Sequence, residues 1–145
     1  MSKNIDDLHG NDLSIAVALE LGWRWGRTHD GSIIVPPWLI DDSFVPGDAN
    51  EANECWDQYL PEYWFSLDST YYLDEPRFLW ETYETSKRIV VYLLVGDGDA
   101  PADESVNIKQ YRSIVNLIDF PLKEQAMCAA RLRCLLKMWR GEDDS

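Results

Sequence analysis

Several scarcities narrow the reading before any motif is considered. Cysteine occurs three times, at Cys55, Cys128 and Cys134, with no C-x-x-C pair. An odd count without close pairs argues against a disulfide framework and a zinc ribbon, and fits inert thiols in a reducing cytoplasm. Histidine occurs twice, at His9 and His29, in polar turn-like sequence away from any catalytic Ser or Cys pattern. Lys and Arg number 13 against 26 Asp and Glu, a formal charge of −13. DNA, RNA and anionic membranes repel a polyanion, so no direct binding to them is expected. Long apolar runs are missing too. The longest is Ile89–Val95, far short of the roughly 20 residues of a membrane-spanning helix. Met1 to Asp12 lacks the apolar centre of a signal peptide. The expectation is a soluble cytoplasmic protein.

What is present is globular in kind. The 145 residues are 46% hydrophobic and include seven Trp, seven Tyr and four Phe. Such a chain can bury a core without a metal or disulfide staple, and the aromatic content argues against an acidic disordered chain. One domain over 1–145 is expected, with residues 142–145 as an acidic tail.

Periodicity places four helices. Leu13, Val17 and Leu21 recur at helical spacing over 12–22, with Asp12 as cap and Gly22 as stop. Over 50–60, Ala52, Cys55, Trp56, Tyr59 and Leu60 share one face, and Pro61 ends the run. Pro76 suits the first turn of a helix over 76–86, with Leu79, Trp80 and Tyr83 inside. The last helix covers 121–140, capped by Asp119, with Leu132, Leu135 and Leu136 inward and Arg131, Arg133 and Lys137 among the outward bases. Strands are expected over 32–36, 88–95 and 106–118. The fold class is therefore α+β: a small, mostly antiparallel sheet of about three or four strands packed with about four helices.

Charge is segregated along the chain. Thr28 to Pro76 contains 11 acids, no Lys or Arg, and nine of the aromatics. From Arg77 onward ten bases face 11 acids. One reading makes the acids a solvated face and the aromatics core. The other makes the segment a docking surface, because carboxylates in an array imitate phosphates, and Tyr and Trp anchor interfaces. On the 50–60 helix Glu51, Glu54 and Asp57 share a side, where like charges cost about 0.2–0.5 kcal/mol per pair. Forgoing bases for so long mildly favours the docking reading. Its partner-binding residues are Asp41, Asp42, Asp48, Glu51, Glu54, Asp57 and Glu62, with Tyr59, Tyr63 and Trp64 as anchors, although the helical pattern turns Tyr59 inward.

Signals for catalysis are few. Cys128 and Cys134 are six residues apart on one helix, about 240° around its axis, and cannot share a metal. Neither a P-loop nor a G-x-G-x-x-G motif occurs. Asp97, Asp99, Asp103 and Glu104 gather carboxylates in a loop without the spacing of a calcium site. No catalytic residue, cofactor or metal is assigned, and the chain is not expected to be an enzyme.

The segment order also resembles a family. Leu21-Gly22-Trp23 after a first helix, Pro36-Pro37, Phe65-Ser66-Leu67-Asp68, and Asp119-Phe120-Pro121 before a helix with Ala126, Ala129, Ala130 and Leu132 are similar to the phage ABA-sandwich domain proteins. The resemblance implies an α-β-α layered fold, a phage origin and no assigned activity. The acidic, aromatic stretch 41–76 departs from that pattern and is where a specialised function would sit. By analogy, small acidic phage proteins resemble inhibitors of host defence, anti-CRISPR proteins among them, several of which occupy a nucleic-acid groove. The resulting expectation is a non-enzymatic inhibitor in the host cytoplasm. It would bind the basic nucleic-acid-binding surface of a host defence protein such as a CRISPR effector. Two alternatives remain. A nucleotide-signal binder would need bases converging on a concavity, from Arg131, Arg133 and Lys137 or from Arg24 and Arg27. A hydrolase would need clustered carboxylates and a metal.

Overall fold

The computed structural model describes residues 4–8, 10–29, 31–48, 70, 73–97, 104 and 107–141. The chain divides into two compact units, Met1–Leu13 with Glu62–Ser145, and Ser14–Pro61.

In chain order the elements are α1 (Gly10–Glu20), β1 (Arg24–Thr28), β2 (Gly31–Val35), β3 (Phe78–Glu84), β4 (Arg88–Gly96), β5 (Ile108–Asn116) and α2 (Lys123–Trp139). One-turn 3-10 segments occupy Ile5–Asp7, Pro37–Leu39 and Leu117–Asp119. The class is α+β, but the expectation of about four helices on one sheet is overturned. Two helices longer than a turn are present among the described residues, with two antiparallel sheets, β1-β2 and β3-β4-β5. The expected helix over 50–60 lies outside the described residues. So does the 142–145 tail.

The expected helix over 76–86 is strand β3. Leu79, Trp80 and Tyr83 satisfy a helical spacing, but Phe, Trp, Thr and Tyr are also strong strand formers. Pairing with β4 decides between them, running from Phe78↔Val95 to Glu84↔Ile89. The turn that makes this pairing local is built by Thr85. Its Oγ1 accepts hydrogen bonds from the Lys87 N–H at 3.3 Å and the Arg88 N–H at 3.1 Å. The strand expected over 32–36 is β2, which belongs to a different sheet from 88–95 and 106–118. Its partner β1 was not expected at all.

The larger unit has its core between one sheet face and α2. Ile89, Val91 and Leu93 of β4 and Tyr111 and Val115 of β5 are buried. Against them α2 sets Ala126, Ala129, Ala130, Leu132, Leu135 and Leu136. The alanines let helix and sheet approach closely, and the Cys134 thiol meets the Val91 carbonyl at 3.5 Å. Asp119 does not cap α2; it lies in the preceding 3-10 turn, and the helix opens at Lys123 without a side-chain cap. Arg133, expected on the outer arc, is buried. Its Nε and Nη2 donate to the Leu8 carbonyl at 3.0 and 2.7 Å.

In the smaller unit, Ala18, Trp23 and Ile34 form the core, with Ile15 and Trp25 packed on it. Gly22 ends the preceding helical turn at φ 99°, and the Trp23 N–H reaches back to the Ala18 carbonyl at 3.0 Å. Only glycine takes that conformation without strain. Gly26 in β1 answers a different demand. A Cβ there would stand 2.9 Å from Phe44 Cε2 and 3.0 Å from Val35 Cγ2. The chain then returns along β1: Arg27 N–H donates to the Val45 carbonyl at 2.9 Å and Gly47 N–H to the Trp25 carbonyl at 2.8 Å.

Candidate functional site

The acidic loop of the smaller unit begins at a proline-built corner. Pro36 is fully buried, and its carbonyl accepts from the Leu39 N–H at 3.0 Å, closing the 3-10 turn Pro37–Leu39. The turn holds Trp38 outward, 75% exposed. The Trp38 ring meets that of buried Trp23 edge-on at 5.6 Å and 78°. Such T-shaped pairs contribute about 0.5–1.5 kcal/mol beyond their area. Leu39 and Val45 are also exposed, as are Leu19 and Leu21.

Asp41 follows directly. Its carboxylate accepts from the Ser43 N–H at 2.8 Å and from the Ser43 hydroxyl at 2.5 Å. Those hydrogen bonds hold its pKa below the ordinary 3.8, so it stays charged across the physiological range. Asp42 is exposed beside it. Asp48, also exposed, is placed by its own N–H, which donates to Ser32 Oγ at 3.0 Å. The loop thus carries exposed carboxylates and an exposed tryptophan on a hydrogen-bonded frame.

Three of the sequence-derived partner residues, Asp41, Asp42 and Asp48, lie in this loop. Glu51, Glu54, Asp57, Tyr59, Glu62, Tyr63 and Trp64 lie outside the described residues. The base-free run in sequence is not base-free in space. β1 brings Arg24 alongside, its guanidinium 5.2 Å from the Phe44 ring centre, and Arg27 lies on the same strand. Trp38 was absent from the residues singled out by charge. The signal for it was Pro36-Pro37-Trp38-Leu39, where two prolines hold an aromatic in a turn too short to bury it.

In the larger unit, the bases considered for phosphate binding are engaged within the chain. The Arg131 guanidinium stacks on Trp80 at 4.8 Å. Lys137 donates to the Arg112 carbonyl at 2.6 Å and pairs with Asp6 at 3.2 Å. Arg133 faces a cavity of about 540 Å³, but Asp6, Asp7 and Asp119 line it as well. Burial lowers the Arg133 pKa, opposed by those three carboxylates. A phosphate entering there meets more negative than positive charge.

Nucleophilic and metal chemistry find little support among the described residues. Burial, and then Glu124, push the Cys128 thiol up to about 12, the opposite of an activated thiolate. No group of three or more His, Cys, Asp or Glu could hold a metal ion among the described residues. No helix among them is long and apolar enough to cross a membrane. The loop carboxylate Asp97 accepts from the Asn107 N–H at 3.3 Å and from its side-chain amide at 3.2 Å.

No family model, no curated protein and no solved structure matches the chain.

Proposed function

We propose that this chain is a non-enzymatic binding protein whose Trp38 corner docks onto the basic face of a partner protein. One observation carries the reading: Trp38 stands 75% exposed against the Trp23 ring edge, with the exposed Asp41 and Asp42 following it in the same loop. An exposed tryptophan braced by a ring beneath it presents large apolar area, which suits an interface hot spot. The flanking carboxylates and the formal charge of −13 steer such a surface toward Lys- and Arg-rich partners. Proteins that hold nucleic acid carry such faces. An acidic protein seated there displaces the nucleic acid, which is inhibition by occupancy. A phage-encoded inhibitor of a CRISPR effector or another host defence protein would act in this way.

The test places a photo-crosslinking amino acid at Leu39, with a control at Glu81 in the other unit. Adducts at position 39 that heparin suppresses identify a partner through its anion-binding face. Trp38→Ala should weaken capture of that partner roughly 30-fold or more, the loss of about 2 kcal/mol expected at a hot spot. Asp41→Lys with Asp42→Lys should weaken it further and flatten its salt dependence. Undiminished capture by the Trp38→Ala variant, or adducts indifferent to heparin, refutes the proposal.

A further inference from the structure

A second concavity lies in the larger unit, where β3 begins, β4 and α2 end and β5 begins. It measures about 400 Å³, within the range of roughly 300–1,000 Å³ that accommodates small ligands. Its wall is apolar and aromatic, formed by Val95, Tyr111, Met138 and Trp139. Two cations, Arg77 and Lys109, line the same space. The strand register explains their placement. Phe78, Val95 and Lys109 form one row across the sheet, and Arg77 immediately precedes Phe78. The two bases therefore flank the end of β4, about 10 Å apart at the backbone over two strand spacings, within reach of one acid group by their long side chains.

The remaining polar groups bear on the sign of the ligand. Among the described lining residues the one carboxylate, Asp97, accepts from the Asn107 main-chain and side-chain N–H groups. At the end of α2 the Leu136 carbonyl accepts from the Arg140 N–H at 2.9 Å and the Met138 carbonyl from the Gly141 N–H at 3.1 Å. Arg77 donates from Nε and Nη2 to the exposed Glu75 carboxylate at 3.2 and 3.5 Å, so an anionic ligand competes there with a solvent-exposed partner. The Lys109 side chain has no hydrogen-bond or ion-pair partner among the described residues. Among the described residues the lining carries two bases against one carboxylate, a positive local balance in a chain of charge −13, and such a site favours an anionic ligand. The carboxylate-lined cavity beside Arg133 shows the opposite balance.

We infer that this cavity binds a small planar anion, an aromatic ring bearing a carboxylate or a phosphate. The ring lies against the Tyr111–Trp139 wall, and the acid group meets Lys109 and Arg77. The inference is independent of the Trp38 surface.

Titration of the full 15N-labelled chain tests it with indole-3-acetate and adenosine monophosphate. Tryptamine and adenosine serve as partners of like shape without the negative charge. Saturable shifts are expected at the Gly96, Asn107 and Lys109 amides and at the Trp139 indole N–H with an anionic probe. The uncharged or cationic probe should bind at least about tenfold more weakly, the discrimination one charge-assisted contact provides. Response to indole-3-acetate alone marks a carboxylate ligand, and response to the nucleotide alone marks a phosphate. Lys109→Glu should weaken the anion about tenfold or more while leaving resonances of the smaller unit in place, and Lys109→Gln gives the smaller loss if the reversal disturbs the strand. Trp38→Ala should change nothing. No saturable shift with either anion, or tryptamine binding as tightly as indole-3-acetate, overturns the inference.

Discussion

Replacing Arg133 with methionine keeps an unbranched apolar stem and removes the guanidinium. In the native chain that group gives two hydrogen bonds, 3.0 and 2.7 Å, to one acceptor, the Leu8 carbonyl. It also sits 6.0 Å from the Phe120 ring centre and shares a cavity with Asp6, Asp7 and Asp119. Two opposing effects set the magnitude. Leaving the Leu8 carbonyl without these donors costs about 1–3 kcal/mol, and the cation–π contact adds about 0.5–1 kcal/mol. Removing a buried cation returns part of its desolvation penalty. The balance is a loss of about 2 kcal/mol, or about 4–8 °C in Tm for a chain of this size. Urea denaturation followed by circular dichroism measures it. Arg133→Lys, which retains the charge but reaches the carbonyl with one donor, should lose about half as much. A methionine variant within about 0.5 kcal/mol of the parent would show that the guanidinium merely fills space, and the reasoning would fail.

Two further perturbations test other parts of the fold. The Cys128 thiol is pushed from its ordinary 9.0 to about 12 by burial, so the unfolded chain loses this proton first as pH rises. Stability from this group is whole below about pH 9 and declines through the window up to about 12, by at most about 1.4 kcal/mol per pH unit. Cys128→Ala should remove that slope from urea midpoints measured against pH, and an unchanged slope assigns it elsewhere. Gly26→Ala should destabilise the smaller unit by about 1–3 kcal/mol through overpacking against Phe44 and Val35. Phe44→Leu should recover part of that loss, and a double-mutant cycle showing no coupling would remove the contact from the account.

Legibility in the sequence followed the periodicity of apolar residues. α2, β4 and β5 each carry an apolar pattern long enough to admit one reading, and the structure places them within a few residues of the expected bounds. β3 failed because Phe78, Leu79, Trp80 and Tyr83 in seven residues fit either period, and a Thr side chain in the turn, not the strand itself, makes the pairing local. β1 was missed because Trp25 is the one large apolar side chain in Arg24–Thr28, too few to show an alternation, and Gly26 is there for a phenylalanine that arrives 18 residues later. Arg133 looked like one more solvent-facing base because helical spacing describes an arc and says nothing of the Leu8 carbonyl that meets it. In the acidic loop the charge count led to Asp41, Asp42 and Asp48 but passed over Trp38. Exposure of a tryptophan depends on what packs beside it, and no count of residue types contains that.

The stretch that runs back along β1 has a bearing on solubility. A two-stranded ribbon offers unpaired main-chain groups on its outer sides, and such margins recruit other chains into growing aggregates. Here Val45 and Gly47 engage the margin of β1 through the Arg27 amide and the Trp25 carbonyl. The molecule can therefore display a tryptophan to its surroundings without offering, along that strand, a template on which copies of itself would stack.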